Sequence, residues 1–183
     1  QDISRLMVGR DVVLKVEKEK PVPTDVVLKV EDLSFTNDWS RKMLDGVSFT
    51  VRKGEILGVA GVEGNGQREL VELLFDMAKP DGGTIQVEGQ PITGAGQSKI
   101  RGLGVSHIPE DRMLFGVAGT ATIEENLISD RYWKPKFNKG PLFDMKAIHQ
   151  DTQQLIGDYQ ILCKSGGQSV ANLSGGNIQK VVV

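Results

Sequence analysis

The stretch GVAGVEGNGQREL, residues 58–70, constrains this chain more than any other. An apolar run, Ile56–Gly61, enters it, and Leu70, Val71, Leu73 and Leu74 leave it at helical spacing. That order predicts a short strand buried on both faces, a glycine loop and then a helix. Gly61 and Gly66 stand at the spacing of a phosphate-binding loop, in which Gly, four residues and Gly are followed by Lys and Ser/Thr. Gln67 occupies the Lys position and Arg68 the hydroxyl position. The glycines that let backbone N–H groups approach a phosphate are kept in Gly61, Gly64 and Gly66, with Asn65 between the last two. The charge that reaches the outer phosphates and the hydroxyl that binds Mg²⁺ are not. On the loop alone, a plain strand–turn–helix connection fits as well as a weakened nucleotide site.

The bulk numbers narrow the classes. Lys and Arg total 22 against 24 Asp and Glu, a net charge of -2. No basic run suggests DNA or RNA, so no nucleic-acid partner is expected. The single cysteine, Cys163, excludes a disulfide framework within the chain and fits a small core residue. His107 and His149 show no metal-ligand spacing, and no metal site is expected from them. No apolar run approaches the ~20 residues that cross a bilayer, and no signal peptide is expected. With 183 residues the chain can bury a core of its own, and its 22 glycines exceed the usual ~7%. Gln1 is not an initiator Met and QKVVV stops within an apolar run, so a fragment of a longer chain is expected.

The heptapeptide DVVLKVE occurs at Asp11–Glu17 and again at Asp25–Glu31, with Pro21 and Pro23 between the copies. Residues 1–24 fit the tail of a preceding domain plus a linker, or equally an N-terminal strand and loop. Strands are expected at 26–32, at Val47–Val51 and at TIQVEG, residues 84–89. Thr122 with Glu125 spells a capping box, and Asp144 should cap a longer helix carrying Met145, Ile148, Thr152, Leu155, Ile156 and Tyr159. Ser174 is placed to open a last helix. Strands come first, then strand–loop–helix, then helices. This predicts an α/β phosphate-loop core with a β appendage and a helical insert.

Two further motifs stand in the second half. LSGGN, Leu173–Asn177, offers a serine hydroxyl and two unobstructed glycine N–H groups at a helix start, a second anion cradle. HIPEDR, His107–Arg112, alone reads as a surface turn with a local charge cluster. Pro109 argues against reading the residues before it as a catalytic carboxylate strand.

Together these motifs resemble ABC ATPases. LSGGNIQK is similar to the LSGGQ signature in the form found in carbohydrate and nucleoside importers. HIPEDR resembles the segment at the Q-loop position of the second ABC domain of such importers, with Glu110 standing for the usual Gln. LMVGR, Leu6–Arg10, looks like the end of a first ABC domain, and residues 44–70 look like the opening of a second. The GNGQ loop with the long segment 130–172 is most similar to nucleoside-type subunits, with ribose- and galactose-type subunits as near relatives.

The resemblance implies a P-loop NTPase core with an antiparallel β subdomain and a helical subdomain, the domain proper running over residues 25–183. It implies ATP and Mg²⁺, although Arg68 cannot ligate the metal. It implies nucleotide contacts from Gly61, Gly64, Asn65, Gly66, Gln67 and Arg68, and adenine stacking on Trp39, with Phe35 next and equally a core residue. Ser174, Gly175 and Gly176 would complete, in trans, a site on a partner's P-loop, and Glu110 would couple to membrane subunits. The implied partners are a second ABC domain preceding in the same chain, membrane permeases and, indirectly, a solute-binding protein. The implied place is the cytoplasmic face of the cell membrane. The implied function is an ATPase that energises import of sugars or nucleosides, the fragment itself being inactive. The alternative is a non-catalytic nucleotide-binding and coupling module of the same transporter.

Overall fold

The computed structural model of the protein describes residues 22–183. The first DVVLKVE copy, the LMVGR segment and most of the proline linker lie outside the described residues. The chain divides into two compact units, one ending at Val105 and one starting at Ser106.

The first unit is built on a four-stranded sheet. Strand β1 (Val26–Thr36) pairs antiparallel with β2 (Lys42–Arg52) on one side and with β3 (Gly82–Val87) on the other. A two-residue strand β4 (Gln90–Pro91) closes the order β2-β1-β3-β4. The expected strands at 26–32 and 47–51 are thus parts of longer ones, and the expected strand at 84–89 lies mostly within β3. Between β1 and β2, the Asn37 side chain accepts from the Trp39 and Arg41 N–H groups and holds the turn. Helix α1 (Gln67–Leu74) and helix α2 (Gln97–Gly102) carry the apolar residues that pack on the sheet. Leu70, Leu73 and Ile100 meet Val30, Leu33, Leu44, Ile85, Val87 and Ile92 in one core, and Phe35 packs against it.

One expectation is overturned. Residues 56–61 form no strand: Glu55–Val62 has no regular structure, and Ile56 is 90% exposed, with Leu57, Val59 and Val62 also exposed. A strand buried on both faces needs neighbours to take its N–H and C=O groups and to cover its side chains. Among the described residues nothing pairs with this run, and all pairing in the sheet is antiparallel.

The second unit is helical. Helix α3 (Ile123–Ile128) opens with the full capping box: Thr122 Oγ1 accepts from Glu125 N–H at 3.1 Å, and Glu125 Oε2 accepts from Thr122 N–H at 2.7 Å. Residues 119–124 run along 166–171 through backbone bonds, including Ile123 N–H to Gln168 O and Val170 N–H to Ala121 O. A hairpin of β5 (Asn138–Lys139) and β6 (Leu142–Phe143) leads into helix α4 (Met145–Asp158). Asp144 caps α4 by accepting from Ala147 N–H, as expected, and of the apolar set named there Ile148 and Thr152 are the buried residues. Helix α5 (Gly175–Val182) buries Ile178 and Val181 against Ile123, Ile161, Val170 and Leu173.

Two predictions follow from burial and capping. Leu73 is 2% exposed, so Leu73→Ala should cost ~2–5 kcal/mol. Ile56→Ala, in contrast, should change stability by no more than ~0.5 kcal/mol; urea titration of both variants checks the pair. The hydrogen bonds from the Thr122 N–H and then the Thr122 hydroxyl hold the Glu125 carboxyl below its ordinary value of 4.5. A lowered folded-state pKa contributes stability above the ordinary value and loses it as pH falls through the folded value. Glu125→Gln keeps a capping side chain that does not titrate. Its stability should therefore fall less steeply than that of the wild type on acidification below 4.5, as read by thermal unfolding against pH.

Candidate functional site

In the first unit, the glycine loop is a turn over residues 63–66 ahead of α1. Gly66 is the N-cap of α1, buried, with φ 97°, and offers no side chain to the first N–H groups. A Cβ there would stand 2.5 Å from the Met43 carbonyl and 3.0 Å from Leu44 Cδ2. Glycine is therefore required both by the left-handed backbone and by the approach of β2. Gly64 also has positive φ, 81°.

Gln67 does not reach outward as a lysine would. Its Nε2 turns back and donates to the Val62 carbonyl at 3.3 Å, and it lies against Gly61, where a side chain would collide with its amide. Arg68 is tied along the helix, with Nε donating to Glu72 Oε1 at 2.8 Å. The loop therefore presents N–H groups at a helix start, but its side chains serve the loop and the helix. The hydroxyl position is an arginine in an ion pair, so the residues here do not fit a Mg²⁺ ligand. Trp39 is 87% exposed at the tip of the β1–β2 turn, an aromatic surface open for stacking. Phe35 belongs to the core of the sheet.

In the second unit, Ser174 is the N-cap of α5, and its side chain makes no cap hydrogen bond. Ser174 and Gly176 are exposed and Gly175 is half-buried. The helix thus begins with N–H groups that no side chain covers, beside a hydroxyl held by Asn177 Nδ2 at 2.9 Å. Glu110 is exposed in the bend that starts the next turn. Asp111 accepts from Met113 and Leu114 N–H and fixes a π-type turn, Arg112–Gly116. That turn lies along α5: a Cβ on Gly116 would meet Val182 Cγ2 at 3.0 Å. Arg112 extends to the helix start, where a Cβ on Gly175 would stand 2.7 Å from its Nη2, and its Nη1 is 3.5 Å from Gln179 Oε1.

Sequence spacing thus brings Ser174, Gly175 and Gly176 to one helix end, and Gly64, Asn65, Gly66, Gln67 and Arg68 to another. It does not single out Arg112 or Asn177. Arg112 is visible only as one charge in HIPEDR, and nothing local pairs it with Gly175. The other histidine of interest, His149, has Nδ1 3.1 Å from Glu124 Oε2. No helix among the described residues is long and apolar enough to cross a membrane.

The ABC transporter family model matches residues 44–183. The chain is 37% identical over 183 residues to the nucleoside import ATP-binding protein NupA of Lactococcus lactis, covering 100% of this chain and 36% of the relative. It is 32% identical over 184 residues to the glucose import ATP-binding protein TsgD13 of Haloferax volcanii, covering 100% of this chain and 34% of that protein. The chain therefore spans about a third of the length of these curated relatives. Among solved structures, MJ1267, an ATP-binding cassette of an ABC transporter, superposes with a TM-score of 0.67 at 21% identity over 87% of this chain and 63% of that one. That likeness shows the ATP-binding-cassette fold, and with the family match it means that this chain belongs to the ABC transporter family of ATP-binding domains.

Proposed function

We propose that this chain is the second ATP-binding domain, residues 25–183, of an importer subunit that energises uptake of simple sugars or nucleosides, and that its main contribution to hydrolysis is made in trans. The observation that carries the reading is the contrast between the two glycine-rich helix starts. At α1 the side chains that should serve the nucleotide are spent within the loop and helix, Gln67 on Val62 and Arg68 on Glu72. At α5 the N–H groups and the Ser174 hydroxyl have no side-chain cap between them and an incoming anion. A positive helix end with unspent donors suits a phosphate presented by another domain.

On this reading residues 1–24 link to a preceding ABC domain, whose P-loop holds ATP and Mg²⁺. Ser174, Gly175 and Gly176 close over the outer phosphate and stabilise charge as it transfers. Gly61, Gly64, Asn65, Gly66, Gln67 and Arg68 hold a second nucleotide weakly, with adenine on Trp39. Glu110 faces the permease, and a solute-binding protein delivers cargo on the far side of the membrane. The complex sits at the cytoplasmic face. The names of NupA and TsgD13 support nucleosides and sugars as the cargo class.

The folding back of Gln67 supports a second reading, in which this domain's own loop binds nucleotide only to hold a domain pair together. A Gln67→Lys change tests the nucleotide binding that both readings give this loop. Gln67→Lys replaces a neutral amide with a charge able to contact the outer phosphates, worth ~1.5–3 kcal/mol. ATP should bind this loop about tenfold or more tightly by calorimetry, and unchanged affinity would leave the loop as a spacer alone. For the role in trans, ATPase activity is measured in reconstituted transporter at saturating ATP. Ser174→Arg should abolish turnover, and Gln67→Ala should cost far less. The reverse order would mean that the weakened loop is the working one.

A further inference from the structure

Asn177 stands where the signature more often carries Gln, and it is not a surface residue of the cradle. It is 9% exposed, and both ends of its amide are engaged. Leu162 N–H donates to Oδ1 at 3.0 Å, and Nδ2 donates to Ser174 Oγ at 2.9 Å. The orientation of the amide follows from chemistry. A backbone N–H can only donate, so the amide oxygen faces Leu162, and the NH₂ group must face Ser174. Ser174 Oγ is therefore an acceptor on its inner side. A hydroxyl has one hydrogen, and with its inner lone pair taken that hydrogen is released to donate away from Asn177.

We propose that Asn177 is a positioning residue that sets the hydrogen-bond polarity of Ser174, so that the hydroxyl donates outward to the triphosphate of a partner domain. The inference rests on reading α5 as the element that completes that partner's nucleotide site. The chain of control is short. The loop following Ile161, itself in the core of the second unit, fixes Leu162 N–H. Leu162 N–H orients the Asn177 amide, and the amide orients the serine. An acid in place of the amide reverses the last link. A carboxylate can only accept, so the serine hydroxyl would turn inward to it and present a lone pair to the phosphate.

The test is steady-state ATPase kinetics of the full-length subunit in its assembled transporter, with ATP as the probe. Asn177→Asp keeps the shape and both contacts, and should lower kcat about tenfold or more with KM for ATP little changed. In a Ser174→Ala background the same change should alter kcat by less than about twofold, because the group it acts through is gone. Asn177→Leu, which keeps the branched shape and removes both hydrogen bonds, is the second variant if the acid loosens α5, and its deficit should show the same dependence on Ser174. Wild-type kcat in these variants, or an equal deficit with and without the serine hydroxyl, would overturn the proposal. Ser174→Arg separates the two levels. If it leaves hydrolysis intact, the role of α5 in trans fails and the inference with it. If it abolishes hydrolysis while the Asn177 and Ser174 effects simply add, the inference alone fails.

Discussion

The first turn of every helix leaves backbone N–H groups without partners, and where those groups find acceptors organises both halves of this protein. At α3 the acceptors are Thr122 and Glu125, and at α4 the acceptor is Asp144. Ahead of α2, the Asp76 carboxylate takes the Gly94 and Gly96 N–H groups of the preceding turn, while the helix itself starts on Gly96 with no side-chain cap. At α1 and α5 the cap residues are Gly66 and Ser174, and neither supplies a side-chain acceptor. These two helix starts carry the two glycine-rich motifs. Helices α3 and α4 carry side-chain caps, whereas α1 and α5, like α2 on Gly96, have none. A helix end left open in this way favours an anion by its dipole as well as by its free donors.

The two open ends are not equivalent. At α1 the neighbours close in, since Gln67 folds onto Val62 and Gly61 leaves room for its amide. At α5 the neighbours prepare the site. Asn177 donates to the Ser174 hydroxyl, and the Arg112 guanidinium lies against Gly175. A cation beside the positive end of a helix is unfavourable for the helix by a few tenths of a kcal/mol or more. The same turn carries Glu110 two residues earlier, so the segment proposed to face the permease is packed directly along the helix proposed to face the phosphate.

Much of this was legible in the sequence where the physics is local. The Thr122–Glu125 capping box, the Asp144 cap and the alternating strands depend on residues a few positions apart, and all three formed. The glycine loop led into a helix at the expected place for the same reason. The strand expected at 56–61 failed because its apolar pattern states a need for neighbours and does not supply them. Asn177 and Arg112 were illegible for the complementary reason. Asn177 takes its meaning from Leu162, 15 residues away, and Arg112 from Gly175, across the fold of the second unit. Trp39 fell between these cases: its turn was local, but only the fold shows that its ring is free while that of Phe35 is spent in the core.

The central claim is that the phosphate being transferred meets this chain at α5 and not at α1. Vanadate trapped with ADP in the assembled transporter mimics the transferring phosphate, and on illumination it cuts the backbone that touches it. The account predicts scission of this chain at Ser174–Gly176 and none within Gly61–Arg68. Scission confined to Gly61–Arg68 would contradict it.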